Sequence, residues 1–339
     1  MGEPGASVAL GLSLPNRGVL FGAITVEQIL TLSELADRSE VFDSVWVGDS
    51  LLAKPRLEAV TTLAAIAART RRVRLGTCCM ASFVYRHPIV FAIQWASLDV
   101  LSGGRTIFAA CMGASGGQGM GAAAREVRAL QFRPKERVGR FEEGLTVVRR
   151  LWNEERVTHR GTYYAFEDVR LEPRPVQRPL PVWIANDPDL RRPAVAERQC
   201  RRVAALADGW MTDGGPTPEV FAARWALVAR CLGEAGRSPE GFPAAYHMML
   251  NIDDDPRRAW DDGVAFLTKY YGAMPEAFLR IWLAAGPPEE VARRIQAYID
   301  AGCTVPILRF AAHDAPEQVR RFIEEVHPRL RLHPSHPTG

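Results

Sequence analysis

Short apolar, β-prone runs alternate with amphipathic helical runs, predicting an α/β chain folded as a single (β/α)8 (TIM) barrel domain over residues 1–339, with a hairpin excursion inserted around 157–181. Three observations lead there. About eight strand-then-helix units follow one another, a spacing that suits one parallel barrel better than two small domains. The strand runs stop on Gly, Asp, Asn or Ser, residues that turn a chain into a loop. The Pro-rich stretch VTHRGTYYAFEDVRLEPRPVQRPLP, at 157–181, interrupts the alternation once.

Residues 8–14 read as the first strand, ended by Pro15, Asn16 and Gly18. Thr25 caps a helix whose Ile29, Leu32, Leu35 and Ala36 share one face. SVWVGDS at 44–50 is the second strand, followed by a helix over 57–70. The third strand, within RRVRLGTCC, bends at Gly76 into a polar loop, the kind of segment that delivers backbone to a binding face. A helix over 87–101 and a turn at Ser102, Gly103 and Gly104 lead to a fourth strand at 105–113, and 114–124 reads as a small-residue loop. After Pro134, apolar residues recur at helical spacing through Trp152. Past the excursion come strand 182–185, helix 192–207, strand 208–212, helix 218–234 and strand 244–252. Helices through Tyr271, around 278–283 and over 287–301, then strand 304–310 and helix 316–326, complete the chain.

With 47% hydrophobic and 24% charged residues, the chain can bury a large core. Its net charge of +3 arises from 42 basic and 39 acidic residues mixed along the sequence, so no nucleic-acid footprint stands out. No run reaches the roughly 18 apolar residues of a membrane span, and the N-terminal residues lack the basic and apolar regions of a secretion signal. The six cysteines show no metal spacing. A cytoplasmic enzyme with reduced thiols and no metal or membrane is the expectation.

In such a barrel, functional groups come from the C-terminal ends of strands. These ends nominate Asn16, Asp49, Ser50, Thr77, Cys78, Cys79, Cys111, Gly113, Asn186, Asp187, Asp213, His247, Asn251 and Arg309. They contain no nucleophile elbow, HExxH or P-loop. A mouth poor in such groups points to an organic cofactor that brings the chemistry. Structural readings stand beside the functional ones. Asp49 serves as an Asx cap or as a site residue, His87 as a helix cap, His247 as a core histidine, and Cys78 and Cys79 as inert neighbours facing opposite ways. The glycines of 113–121 could offer amides to an anion.

WVGDS (46–50), RVRLGT (72–77), YRHP (85–88), SLDVLSGGR (97–105), RFEEGLTVVRRLW (140–152), the 159–185 segment, ADGW (207–210) and EEVARRIQAYIDAG (289–302) together resemble the bacterial luciferase-like monooxygenase family. The WVGDS form is most similar to its probable F420-dependent oxidoreductase branch. The resemblance implies a flavin or deazaflavin, F420 or FMN, bound in the C-terminal mouth. It also implies a bulge after the third strand whose non-proline cis peptide, here Cys78 to Cys79, backs the cofactor ring. Gly76, Thr77, Cys78, Cys79, Cys111 and Gly113 would line the ring, Asn186 and Asp187 would meet the phosphate-bearing tail, and Asp49 and Ser50 would stand at the reactive centre.

The chain departs from the glucose-6-phosphate dehydrogenase branch at two places. Ser50 stands where that branch has histidine, and Ala109, Ala110, Cys111, Met112, Gly113 and Ala114 replace a glycine run followed by glutamate. Sugar-phosphate oxidation is therefore disfavoured. The leading expectation is hydride transfer between F420, or FMN, and a small organic substrate, in a homodimer. One rival is a two-component monooxygenase that takes FMNH2 from a separate flavin or F420 reductase. The other is a non-catalytic barrel acting as a binding module.

Overall fold

The computed structural model describes residues 8–113 and 120–332. Eight parallel strands close into a barrel: β1 (Gly11–Leu14), β2 (Ser44–Val47), β3 (Arg74–Thr77), β4 (Thr106–Ala110), then, past the excursion, β7 (Val182–Ala185), β8 (Gly209–Thr212), β9 (Ala244–Ile252) and β11 (Val305–Phe310). The excursion is the expected hairpin, β5 (Val157–Arg160) paired antiparallel with β6 (Ala165–Val169). Strand β9 is long enough to pair with β8 at its start and with β10 (Leu283–Gly286) at its end, while β11 runs along its other side. The strand β10 and the helix α4 (Met120–Ala129) are corrections to the sequence reading: a run of two alanines and a glycine after a helix carries little strand signal, and small residues at 120–124 read as loop.

Helices form the outer ring: α1 (Val26–Ser39), α2 (Ala59–Arg69), α3 (Pro88–Ser102), α5 (Arg137–Asn153), α6 (Pro193–Leu206), α7 (Pro218–Glu234), α8 (Pro256–Tyr271), α9 (Glu276–Trp282), α10 (Pro288–Asp300) and α11 (Ala315–Arg321). Their starts follow capping chemistry. Thr25 and Gln28 form a reciprocal capping box on α1, and His87 Nδ1 accepts from the Ile89 amide at 3.3 Å ahead of Pro88, so His87 is the cap of α3. Between α3, α5 and β4, the rings of Phe83, Phe91, Trp95, Phe108 and Trp152 meet edge-on or tilted at 4.7–6.5 Å. Each such contact contributes about 0.5–1.5 kcal/mol beyond its buried area.

Inside the barrel, two indoles form a plug. Trp46 and Trp183 lie with ring centroids 5.3 Å apart. Small residues on the neighbouring strands make room for them. Gly11 and Gly76 flank Trp46, and a Cβ at Gly209 would stand 2.5 Å from Nε1 of Trp183. Above this plug lies the mouth.

Candidate active site at the barrel mouth

The floor of the mouth is a buried polar cluster contributed by residues on or just after four strands. Ser13 Oγ, on β1, accepts from Arg309 Nε at 3.1 Å and Nη2 at 2.7 Å, and lies 3.2 Å from His247 Nε2 and 3.3 Å from Cys78 Sγ. Arg309, on β11, also donates to the Leu14 carbonyl at 3.3 Å and, from Nη1, to the Tyr271 hydroxyl at 2.9 Å. Burial holds His247 well below its ordinary pKa, and the positive charge of Arg309 adds to the effect, so the imidazole is neutral at pH 7. Burial likewise raises the Cys78 thiol. The floor is thus neutral except for one guanidinium.

The wall over β3 and β4 is made of small groups. The peptide between Cys78 and Cys79 is cis, at the position the family resemblance implies. Cys79 and Cys111 are both free thiols, and hydrogen bonding from Cys111, ahead of burial, holds the half-buried Cys79 thiol well above its ordinary pKa. Gly113 has φ +70°, and a Cβ there would stand 3.2 Å from the Ala81 carbonyl. Ala81, Ala185, Cys79, Cys111 and Gly113 leave a shallow face with no long side chain. A flat tricyclic ring fits against such a face, so the residues present suit the expected cofactor.

Across the mouth, at the end of β8, stands Asp213. It is exposed to solvent on the rim of the mouth, with the Asp187 carboxyl beside it. Desolvation first, and the neighbouring Asp187 carboxyl second, push its pKa up to about 7, against the pull of Lys54 and Arg224.

Several nominated residues have other tasks. The Asp49 carboxylate is buried and accepts from the Ser82 amide at 2.6 Å, with Arg86 4.0 Å away, so it ties the end of β2 to the turn after β3. Burial raises its pKa over the opposing pull of Ser82 and Arg86. Ser50 Oγ accepts from the Lys54 amide at 3.0 Å and shapes the turn that presents Lys54. Gly76 does not face the mouth: a Cβ there would collide with the ring of Trp46, so its lack of a side chain serves the plug. Thr77 is buried and donates to the Ala109 carbonyl at 3.1 Å. Asn186 accepts from Trp210 Nε1 at 2.9 Å and donates to the Gln199 carbonyl at 3.3 Å. Asp187 accepts from the Thr212 hydroxyl, the Gly214 amide and Arg224. Asn16 bonds to Gly48 through both ends of its amide and to the Leu57 carbonyl, which joins β1 to β2.

The structure therefore brings Cys78, Cys79, Cys111, Asp213, His247 and Arg309 near one another at the mouth, and it engages Asp49, Ser50 and Thr77 with backbone groups and Gly76 with the Trp46 ring. The sequence reading missed Ser13, Arg17, Lys54, Arg56 and Tyr271. Ser13 had a signal, being a polar residue in phase with Gly11 on the inward side of an apolar strand. The KPR run at 54–56, in the loop after the second strand, was another. Part of the 113–121 loop, residues 114–119, lies outside the described residues, as do residues 1–7. Among the described residues no helix is long and apolar enough to cross a membrane, and no group of His, Cys, Asp or Glu could hold a metal ion.

Fold and mouth together define a parallel barrel whose C-terminal end presents a face that a flat organic cofactor would fit. The chain belongs to the luciferase-like monooxygenase family, whose model matches residues 10–304, and is an oxidoreductase of that class. It is 29% identical over 332 residues to an F420-dependent glucose-6-phosphate dehydrogenase of Amycolatopsis mediterranei, covering 88% of this chain and 94% of the relative. Among solved structures, it is 26% identical to the monooxygenase RslO1 from Streptomyces bottropensis, with a TM-score of 0.77 over 94% of this chain and 99% of that one. An F420-dependent secondary alcohol dehydrogenase, in complex with an F420-acetone adduct, shares the fold at 19% identity with a TM-score of 0.78, covering 96% of this chain and 99% of its own.

Proposed function

We propose that this chain is an F420-dependent oxidoreductase that moves a hydride between the deazaflavin and a small organic substrate, with Asp213 exchanging the accompanying proton. The relatives named for F420 support the choice of cofactor over FMN. The feature that carries the chemistry is the Asp213 carboxyl, exposed just past the end of β8 and pushed up to about 7 by desolvation and by Asp187. A group that is half protonated near neutral pH can both give and take a proton, which suits the oxidation of an alcohol or the reduction of a carbonyl.

When bound, the cofactor supplies the hydride acceptor or donor. Cys79, Cys111 and Gly113 would form the face that holds its ring, and Thr77 holds that wall to β4. Neutral His247 and Ser13 form a floor that takes no proton at pH 7. In the oxidising direction the substrate hydroxyl passes its proton to Asp213 as its carbon gives up the hydride; in the reducing direction Asp213 returns it. Ser50 and the alanines at the end of β4 still argue against glucose 6-phosphate as the substrate.

Anaerobic turnover tests the reading. With reduced F420 and a panel of small carbonyl compounds, loss of the reduced cofactor should match product formation without oxygen. Turnover that requires FMNH2 and consumes oxygen would overturn it in favour of a two-component monooxygenase.

A further inference from the structure

Four cations converge on one side of the mouth. Arg17 follows β1, Lys54 and Arg56 follow β2, and Arg309 lies on β11. They surround Tyr270 and Tyr271 at the end of α8. Lys54 Nζ stands 5.0 Å from the Tyr271 ring centroid, and the guanidinium carbons of Arg56 and Arg309 stand 5.8 Å and 4.8 Å from that of Tyr270. The Arg17 amide receives no carbonyl here and donates instead to the Tyr270 hydroxyl at 3.3 Å.

Among the described residues none of the four has a carboxylate oxygen within 4.0 Å. Gathering like charges costs free energy, and the cost is visible: Arg17 and Lys54 are both held below their ordinary pKa, by burial first and by Arg56 next. Nε of Arg17 is buried without an acceptor. Two carboxyls feel Lys54 or Arg56, namely Asp213 and Asp49, and desolvation raises both toward their neutral forms. They compensate the cluster poorly.

Arg56 is held in place. Its Nε donates to the Lys54 carbonyl at 3.1 Å, and its guanidinium lies across Gly48, where a Cβ would collide with Nη1. From there it acts on Cys78, His247 and Tyr271, so it stands over the barrel axis rather than on the outer rim.

We propose that Arg17, Lys54 and Arg56 form an oxyanion-recognition site, so that the substrate carries a carboxylate or phosphate group anchored over β1 and β2 with its reacting end toward Asp213. Guanidinium forks pair with planar oxyanions through charge-assisted hydrogen bonds, and a water-poor cleft strengthens them. The word substrate rests on the oxidoreductase reading; the anion site itself stands on the cluster. The cofactor's own phosphate and carboxylates have the same chemistry, but the position over the axis favours the group that reacts there.

Inorganic phosphate and benzoate serve as probes in calorimetric titrations of the whole chain, with thermal unfolding checking that each variant folds. At least one anion should bind, about tenfold more weakly in Arg56→Gln and in Lys54→Gln. Gly48→Ala should weaken binding similarly, because it keeps every charge and displaces only the guanidinium. Arg257→Gln, on the exposed face of α8, should bind like the wild type. Anion binding that survives saturating F420 supports a substrate site, whereas displacement by F420 assigns the cluster to the cofactor tail and overturns the proposal. Failure of both anions to bind, or equal binding by all variants, overturns it too. If F420 fails to bind while the anion pattern holds, the cofactor reading falls and the oxyanion site stands.

Discussion

At neutral pH the Asp213 carboxyl is near its midpoint, and it owes this to desolvation and to Asp187 rather than to any bound group. Replacing it with asparagine should lower kcat by roughly 100-fold or more and remove an inflection near pH 7 from the kcat profile. An unchanged inflection would assign the proton to another group. The same shift has a thermodynamic signature. A carboxyl raised from 3.8 to about 7 binds its proton more tightly in the folded state, so it costs stability increasingly as pH rises between those values and by a constant amount above them. Asp213→Asn should therefore leave the unfolding temperature unchanged near pH 4 relative to wild type and gain on it up to about pH 7; parallel curves would contradict the assignment. Gly76 makes the opposite kind of case. Adding one methyl there forces Trp46 out of its seat, so Gly76→Ala should lose about 1–3 kcal/mol in urea unfolding. Trp46→Phe in the same chain should recover part of that loss, and no recovery would show that the strain lies elsewhere.

Single elements depend on a few buried hydrogen-bonding groups. Two side chains of α5 fasten the β5–β6 hairpin: Glu143 accepts from the Thr162, Tyr163 and Tyr164 amides and from His159 Nε2 at 3.1 Å, and Arg150 donates to the Thr158 carbonyl at 3.1 Å. Burial would raise the pKa of Glu143, but the His159 bond and these amides outweigh burial and lower it. Its stabilising contribution is thus present above its unfolded value of 4.5 and is lost as pH falls through the lower folded value. Glu143→Gln should cost about 1–3 kcal/mol locally and speed amide exchange at 162–164 without disturbing the barrel strands; unchanged exchange there would show that the hairpin holds itself. Most elements were legible in the sequence because alternation and capping residues mark them, as at Thr25 and His87. The strand β10 was not, since its two alanines and glycine pair only because β9 runs past the end of β8.

For the whole molecule, the barrel and its hairpin could be read from the order of elements, whereas the site could be read only in part. Strand ends say which residues reach the mouth, but not which of them already have partners. Asp49 and Thr77 are engaged with neighbouring backbone, and Ser50 with its own turn. Arg56 reaches the axis from a loop that no strand pattern marks, over a glycine that admits it. The mouth, with its small-residue face and a floor whose one charge is the Arg309 guanidinium, is proposed to hold a deazaflavin. Titrating the chain with F420 and, separately, with FMN, followed by fluorescence, tests it most directly. F420 should bind with micromolar or tighter affinity and FMN more weakly; tighter binding of FMN, or micromolar affinity for neither, would show that the mouth is not built for a deazaflavin.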